Sequence, residues 1–458
     1  MGWRHGAVRR LTLALGLVAL LGVAWPARAA TVIRDAEIEE TIRRIADPIF
    51  SAAGLDPDSV DIIILRDDTL NAFVAGGQNL FLNTGLLTRT ENPDQLAGVI
   101  AHETGHIAGG HLSRAVAARE RATVQSLLGA VLGAAAAVAG APQVGTAIIA
   151  GGATVAQRGV LAFSRAQEQS ADQAAVTYLA DAGRSPEGLV AFFQILENQN
   201  LRISSGGSAF LRTHPLTRER MSFLEDRVTA SPYKGKPPSP SLVDAHARMV
   251  AKLDAFLAEP NTTLRRYNGD RLVDRYARSV AYYRLADVDR SVKELNQLIA
   301  ARPDDPWFEE LKGQVLFESG KIAAAEDPYR AAVRLRPEVP LLRVGLARTL
   351  MEQGGKPKLQ EAAALLKEAV RLDPDSAGAW RFLGVTQGQL GQEGEASLSL
   401  AESAVLSGNK QDAELHLRRA KGLLDPSDPA RMRVEDLIRV VEDMDDPEPG
   451  PRQRRRLL

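Results

Sequence analysis

A short motif with three candidate catalytic side chains lies in the segment QLAGVIAHETGHIAGGH. His102 and His106 are four residues apart, so in a helix they lie about 40° apart around the axis and their imidazoles can reach one point. Zinc accepts imidazole nitrogens as ligands. Glu103 could then act as general base on a water held by that metal. The motif H-E-x-x-H, which also occurs by chance in unrelated proteins, predicts a zinc-dependent hydrolase.

The sequence also contains the signals for a helix that would carry this motif. Asn92 is a good N-cap, Pro93 suits the first helical position, and Gln95 can complete a capping box. Leu96 and Val99 form an apolar face ahead of the first histidine. These features favour a partly buried helix, which is the context that a metal site needs.

A third ligand must come from outside the motif. The chain contains no cysteine, so a catalytic metal must be held by histidines and carboxylates. The segment around SRAQEQSADQAAVTYLADAG predicts a helix over 162–182, ended by Gly183. Glu168 and Asp172 lie on one face of it, so we expect Glu168 to be the third ligand and Asp172 to hold a histidine ring. The alternative is two solvated charges on an exposed face.

Two further histidines are candidates for roles at the site. A metzincin zinc site needs a histidine ten positions after the first, and that position is Leu112. His111 is therefore predicted to be structural or solvated. His214 precedes Pro215 and is held extended. It could be a loop residue without a role, cap the open metal position, or donate to an oxyanion, and Arg220 is near enough to join it.

A candidate substrate-binding segment precedes the metal helix. The run at 61–67 predicts a buried strand, and NAFVAGGQNLFLNTGLL at 71–87 predicts a hairpin or an edge strand. An edge strand near Gly76–Leu82 could bind an extended peptide by β-augmentation. The alternative is an ordinary hairpin that closes a small sheet. The predicted substrate-binding residues are Gly76, Gly77, Gln78, Asn79 and Leu80.

The bulk composition narrows the class of protein. The 458 residues suffice for two or three domains, and 45% hydrophobic and 25% charged residues are ordinary for a globular protein. A net charge of −1 gives no electrostatic case for binding nucleic acid. The absence of cysteine excludes disulfides, thiolate metal sites, cysteine nucleophiles and a lipoprotein anchor.

The first residues resemble a targeting segment. Basic residues precede the apolar run LTLALGLVALLGVAW, and Ala27-Arg28-Ala29 supplies an A-x-A cleavage site. We therefore predict a Sec-type signal peptide over 1–29 and a periplasmic mature chain. The alternative, an uncleaved membrane anchor, fits less well because the apolar run is short.

The stretch 124–161 is apolar, rich in glycine and alanine, and split by Pro142. Each half is shorter than the roughly 20 residues that a spanning helix needs. Three interpretations remain open: a flexible lid or membrane-touching flap over the active site, a buried helical pair, or true membrane spans.

The second half of the chain changes character. The Pro-rich segment 232–242 predicts a linker. Beyond it, Pro303, Pro337 and Pro374 are spaced 34 and 37 residues apart, with tryptophans and glycines in matching positions. This is the period and pattern of tetratricopeptide repeats, which stack into a superhelix with a concave binding face.

These features define a predicted fold class and domain organisation. The fold is α+β, with a mainly helical metallopeptidase domain that contains a small sheet, followed by an all-α repeat solenoid. Its first helix is expected within 31–60. The predicted domains are a metallopeptidase over 30–231, repeats over 243–442, and a disordered charged tail over 443–458.

Four motifs together resemble those of the HtpX-related zinc metallopeptidases. NAFVAGG…FLNTGLL, AHETGHIAGGHLSR, SRAQEQSAD and THPLTRER occur in that order, before the repeats. The resemblance implies a gluzincin fold with one zinc on His102, His106 and Glu168, and Glu103 as general base. It suggests that His214 ligates the zinc in a closed, self-inhibited state. Arg220 matches the arginine that follows this histidine in the family.

The resemblance also implies a function. Members of this type degrade misassembled outer-membrane proteins and act beside the barrel-assembly machinery, with the repeats as docking surface. The chain is therefore expected to be a periplasmic zinc endopeptidase with such partners. A different class stays open, in which the protein is a chaperone or scaffold with a latent peptidase. A third possibility, a membrane-embedded peptidase, requires 124–161 to span the bilayer.

Overall fold

The computed structural model describes residues 31–115, 164–202 and 209–445, together with a few isolated positions between 117 and 150. The predicted signal peptide, nearly all of the Gly/Ala-rich stretch 124–161 and the tail from 446 onward lie outside the described residues. Among the described residues, no helix is both long enough and apolar enough to cross a bilayer.

The first half of the described chain combines short strands with longer helices. Its elements are β1 (Val32–Ile33), α1 (Ala36–Ala52), β2 (Asp61–Leu65), β3 (Ala72–Ala75), β4 (Asn79–Asn83), α2 (Thr84–Leu87), α3 (Pro93–Ala108), α4 (164–181), α5 (Glu187–Arg202), α6 (Ala209–Thr213), α7 (Arg218–Ala230) and α8 (Pro240–Leu257).

The second half of the described chain is helical. Its elements are α9 (Pro260–Arg266), α10 (Leu272–Arg284), α11 (Val288–Ala301), α12 (Pro306–Glu318), α13 (Ile322–Leu335), α14 (Pro340–Gln353), α15 (Lys356–Leu372), α16 (Ala377–Gln389), α17 (Glu393–Leu406), α18 (Lys410–Leu423), α19 (Ala430–Glu442) and a 3-10 turn at Asp443–Asp445. That turn occupies the first residues of the predicted disordered tail. The predicted fold class, a mainly helical peptidase domain with a small sheet before a helical repeat solenoid, is confirmed.

The four strands form one sheet in the order β1-β2-β4-β3. The predicted hairpin is β3–β4, and Gly76 and Gly77 make its turn at φ of 60° and 105°, a conformation that favours glycine. The predicted edge strand over Gly76–Leu82 is wrong, because β2 pairs in parallel with the outer side of β4. Asn79 and Leu80 are consequently buried in an interior strand. Among the strands that the structure describes, β3 is the edge strand on this side of the sheet.

Helix α1 packs its apolar face into the core beneath the sheet. The Asp35 side chain caps it by accepting from the Ile38 backbone N–H. Ile38, Ile42, Ile45 and Ile49 recur at helical spacing and are all buried in the same core as α3. This core holds α3 in place, and α3 carries the H-E-x-x-H motif.

Glycines allow the repeat helices to pack closely in pairs. A Cβ atom on Gly313 of α12 would lie 2.8 Å from the Tyr329 ring of α13, and one on Gly384 of α16 would lie 2.8 Å from Leu400 Cγ of α17. Both glycines belong to the predicted repeat pattern. Glycine at these positions is therefore explained by the space that the partner helix needs.

Helix α8 joins the two halves rather than linking them loosely. It begins at Pro240, inside the predicted linker 232–242, so the end of that segment is helical. Met249 and Leu253 lie in the core of the peptidase half, whereas Ala251 lies in the core of the first repeat helices. One helix thus contributes to both cores, which couples the repeat solenoid to the peptidase domain.

A buried ionic cluster reinforces this junction. The Glu37 carboxylate at the start of α1 accepts hydrogen bonds from Arg248 and from the Tyr276 hydroxyl. Lys252 Nζ lies 2.7 Å from Asp35 Oδ2 and 3.3 Å from Glu37 Oε2. Burial opposes ionisation of Glu37, but the two cations lower its pKa. Since a buried charge without a partner is costly, this cluster specifies how α1 sits against α8 and α10.

His246 in the same helix predicts a pH dependence of stability. Its Nε2 lies 2.8 Å from Thr90 Oγ1, and burial lowers its pKa to about 4. The folded protein keeps His246 neutral, whereas the unfolded chain binds a proton near pH 6.5. The contribution of His246 to the free energy of unfolding should therefore fall as pH drops from about 6.5 toward about 4, and stay constant above that window.

The variant His246→Gln isolates this effect. Between about pH 7.5 and about pH 5, wild type should lose about 2 kcal/mol more than the variant, as measured by chemical denaturation. The other titrating groups are shared by both proteins and cancel in the comparison. Equal losses in the two proteins would contradict the prediction.

Candidate metal centre

Helix α3 begins where its sequence predicts. The Asn92 side chain accepts from the backbone N–H groups of Asp94 and Gln95, both at 3.1 Å. The Gln95 carboxamide accepts from the backbone N–H of Glu91 at 2.7 Å, one residue before the cap. The helix brings His102 onto the same face as the second histidine of the motif, four residues later.

A glycine inside the motif allows α4 to approach α3 closely. A Cβ atom on Gly105 would lie 2.9 Å from the Ala171 carbonyl oxygen and 3.0 Å from its Cα, so α3 and α4 touch at backbone level. This close packing places the Glu168 carboxylate beside the histidine pair. Its Oε2 lies 3.5 Å from His102 Nε2 and its Oε1 lies 3.5 Å from His106 Nε2.

His214 follows α6 and completes the cluster. Its ring stacks on Phe210 with 4.6 Å between centroids. Its Nδ1 lies 3.2 Å from both Glu168 oxygens and 3.3 Å from His102 Nε2, and the two motif histidines have their Nε2 atoms 3.2 Å apart. One ligand atom from each of four residues lies within 4.8 Å of all the others: His102, His106, Glu168 and His214.

The donor set and its surroundings fit a catalytic metal. Three imidazole nitrogens and one carboxylate oxygen are donors that zinc accepts in proteins. Glu103 is buried beside them, with His214 Nε2 3.5 Å from its Oε1, but neither carboxylate oxygen accepts a hydrogen bond from the residues that the structure describes. Buried polar atoms normally have partners. A water between the metal and Glu103 would supply that partner.

Asp172 and Arg220 contact the residues of the cluster and fix their orientation. Asp172 Oδ1 lies 3.0 Å from His102 Nδ1, the ring nitrogen that faces away from the cluster. Arg220 binds Asp172 through Nε at 2.6 Å and Nη2 at 2.8 Å, and its Nη1 lies 3.1 Å from Glu168 Oε2. Burial favours the neutral acid, but the Arg220 guanidinium lowers the pKa of Asp172. Arg220 thus orients the carboxylates of Asp172 and Glu168. Its position in the sequence does not reveal these contacts.

The surroundings of the two motif histidines shift their pKa values in opposite directions. Burial alone would lower the pKa of His102, but hydrogen bonds to Asp172 and Glu168 raise it to about 9. Burial, together with the nearby positive charge of His102, lowers the pKa of His106 to about 2. The two motif histidines therefore have opposite pKa shifts although they lie on one face of one helix.

Some residues at the site were not predicted from the sequence. Phe210 stacks on His214, and the Arg220 guanidinium lies 5.3 Å from the centroid of the Phe193 ring. Aromatic residues at apolar helix positions are usually core, so the sequence contains no signal for these contacts. His111 was expected to be structural or solvated. It is buried, outside the four converging residues, with its Nδ1 3.0 Å from His106 Nδ1.

Comparison with known families agrees with this geometry. Residues 33–228 match peptidase family M48, and residues 276–340 and 344–392 match the tetratricopeptide repeat. The chain is therefore a metallopeptidase, in which a region similar to the M48 peptidases is followed by tetratricopeptide repeats. The predicted enzyme class, a metallopeptidase, is confirmed.

Individual relatives are similar to most of the chain or to a part of it. The β-barrel assembly-enhancing protease of Yersinia pestis is 28% identical over 421 residues, which are 89% of this chain and 82% of that protein. The protein of the same name from Escherichia coli K12 is 28% identical over 404 residues, 84% of this chain and 79% of that one. The mitochondrial metalloendopeptidase OMA1 of Schizosaccharomyces pombe is 26% identical over 185 residues, 40% of this chain and 51% of that one.

Proposed function

We propose that this protein is a zinc-dependent endopeptidase of the periplasm that hydrolyses misfolded or stalled outer-membrane proteins. The observation that carries the hydrolytic part is the convergence of His102, His106 and Glu168 beside the buried Glu103 carboxylate. The names of the relatives support a substrate among β-barrel proteins. The repeat solenoid is proposed to dock the substrate or the barrel-assembly machinery.

The side chains of the proposed site have separate roles in metal binding and in proton transfer. His102, His106 and Glu168 would hold the zinc, with His214 as a fourth donor in the closed state. When bound, the metal polarises the scissile carbonyl and makes a water more acidic. Glu103 takes the proton from the attacking water and passes it to the leaving amine. Burial raises the pKa of Glu103, which brings its proton affinity closer to that of a general base at neutral pH.

The sheet topology favours β3 rather than β4 as the strand that binds substrate. The residues Gly76–Leu82 form the hairpin turn and an interior strand, but β3 pairs with β4 alone among the strands that the structure describes. An extended substrate segment is therefore proposed to add to the free side of Ala72–Ala75. The rings of Phe73 in β3 and Phe81 in β4 stack with 4.8 Å between their centroids, which stabilises the pairing of the two strands.

The segment with His214 lies next to this edge. The Phe210 backbone N–H donates to the Leu70 carbonyl oxygen at 3.3 Å, just before β3 begins. A substrate strand that adds to β3 would meet α6, the helix that carries Phe210. We propose that this encounter moves His214 off the metal position, so that substrate binding opens the site.

Removal of the His214 imidazole should therefore increase activity. His214→Ala is expected to raise the rate of cleavage of an unfolded barrel protein, about tenfold for each 1.4 kcal/mol by which His214 favours the closed state. The rate is measured by gel densitometry with purified full-length chains. The control is Thr213→Ala, which changes the exposed neighbouring residue. A loss of activity in His214→Ala would instead show that His214 takes part in catalysis.

The proposed function is tested directly with purified protein. The mature chain is incubated with an unfolded outer-membrane β-barrel protein, with and without a zinc chelator. Fragments are expected only without chelator, and they should return when Zn²⁺ is restored. Intact substrate in the presence of one bound zinc per chain would overturn the protease proposal.

A second function is favoured by one observation. His214 Nδ1 lies 3.2 Å from Glu168 Oε1 and 3.3 Å from His102 Nε2, a position that supports a closed, inactive peptidase. A chaperone or assembly scaffold with a mostly latent peptidase would look the same, with the repeats carrying the activity.

A further inference from the structure

His111 contacts the cluster of candidate metal ligands through His106. His106 directs Nε2 toward the cluster, 3.2 Å from His102 Nε2 and 3.5 Å from Glu168 Oε1. Its other ring nitrogen, Nδ1, lies 3.0 Å from Nδ1 of His111. One nitrogen of the His106 ring therefore faces the other members of the cluster. The other nitrogen faces His111, which is not a member.

The arrangement of protons follows from this distance. Two ring nitrogens 3.0 Å apart share one hydrogen, which either ring could carry. A neutral His106 offers Nε2 to a metal only when its own proton is on Nδ1. It then donates to His111 Nδ1, and His111 carries its proton on Nε2. The opposite tautomer would place a proton on the nitrogen that has to bind the metal.

The position of His111 is built into the fold. His111 is 4% exposed, and its ring lies over Gly109, where a Cβ atom would come within 2.5 Å of His111 Nε2. Gly109 has an ordinary φ of −68°, so the glycine is needed for space rather than for its backbone conformation. The His111 carbonyl oxygen also accepts from Gln167 Nε2 at 2.9 Å. That bond ties it to α4, next to Glu168.

We propose that His111 is a positioning residue for the metal ligand His106. By accepting the Nδ1 proton of His106, it selects the tautomer and the ring orientation that leave Nε2 free to bind the metal. Outer partners of this kind usually are carboxylates, backbone carbonyls or waters, and here an imidazole takes that place. The inference rests on the proposed metal site.

Two variants of full-length protein separate positioning from packing. His111→Leu fills a similar volume without an acceptor, whereas His111→Asn can place its carboxamide oxygen near the former Nδ1. Zn²⁺ affinity is measured by competition with a chelating dye, and the visible spectrum of bound Co²⁺ reports the ligand geometry. We expect His111→Leu to bind Zn²⁺ about 10–100-fold more weakly with an altered Co²⁺ spectrum. His111→Asn should recover most of the affinity and the wild-type spectrum.

Controls distinguish failure of this inference from failure of the metal site. Leu112→Asn changes the exposed neighbour, 43% exposed, and should leave Zn²⁺ affinity unchanged. Wild type must bind Zn²⁺ and His106→Ala must not, or the proposed metal site itself is overturned together with this inference. With that site established, wild-type affinity in His111→Leu would overturn the positioning role alone. Equal weakening in the leucine and asparagine variants would also overturn it, because packing would then be the cause.

Discussion

Glu103→Gln is expected to abolish most peptidase activity while leaving the metal in place. A glutamine has the shape of the glutamate but cannot accept the proton of the attacking water, and general-base catalysis contributes about 10²–10⁴-fold. The loss should appear in kcat, because Glu103 is not one of the four residues that converge on the proposed metal position. The measurement is the rate of cleavage of an unfolded barrel protein, together with zinc content per chain.

The same variant separates a protease from a scaffold. Glu91→Gln, an exposed change near the start of α3, serves as matched control and should retain wild-type activity. If Glu103→Gln fully rescues a strain that lacks the protein, and purified wild type cleaves no unfolded barrel protein, the scaffold interpretation is correct. Failure of rescue by a stably expressed, zinc-loaded variant would support the protease.

Glu168→Ala is expected to remove the metal itself. The carboxylate is the only acidic member of the four-residue cluster, and two imidazoles face it at 3.5 Å. Its loss should weaken zinc binding by more than the about 10–100-fold that loss of an outer partner costs. Arg220 would also lose the oxygen that lies 3.1 Å from its Nη1, which leaves part of a buried cation unpaired.

Metal analysis of the purified chain checks this expectation. Zinc should fall from one per chain to near zero in Glu168→Ala, and activity should disappear with it. Gln169→Ala, a change at the exposed next residue of α4, should keep both. Unchanged zinc content in Glu168→Ala would refute Glu168 as a ligand, whereas loss of activity with retained zinc would point to a catalytic role instead.

Features with a local or periodic origin could be predicted from the sequence. The cap at Asn92 and the four-residue spacing of His102 and His106 depend only on helix geometry, and both are found in α3. Glu168 and Asp172 are likewise four apart in α4, and both face the histidines. The repeats follow from an internal period that needs no knowledge of the rest of the chain.

The tertiary structure alone decided features that depend on contacts between distant segments. The interior position of β4 results from its parallel pairing with β2, which the alternation of apolar residues does not specify. Arg220 binds Asp172 across 48 positions of the chain, and α8 enters two cores at once. His111 also meets His106 only after the turn at 109–110 folds its ring back over Gly109. Side-chain spacing within one helix determines which groups share a face, but packing between elements determines what that face meets.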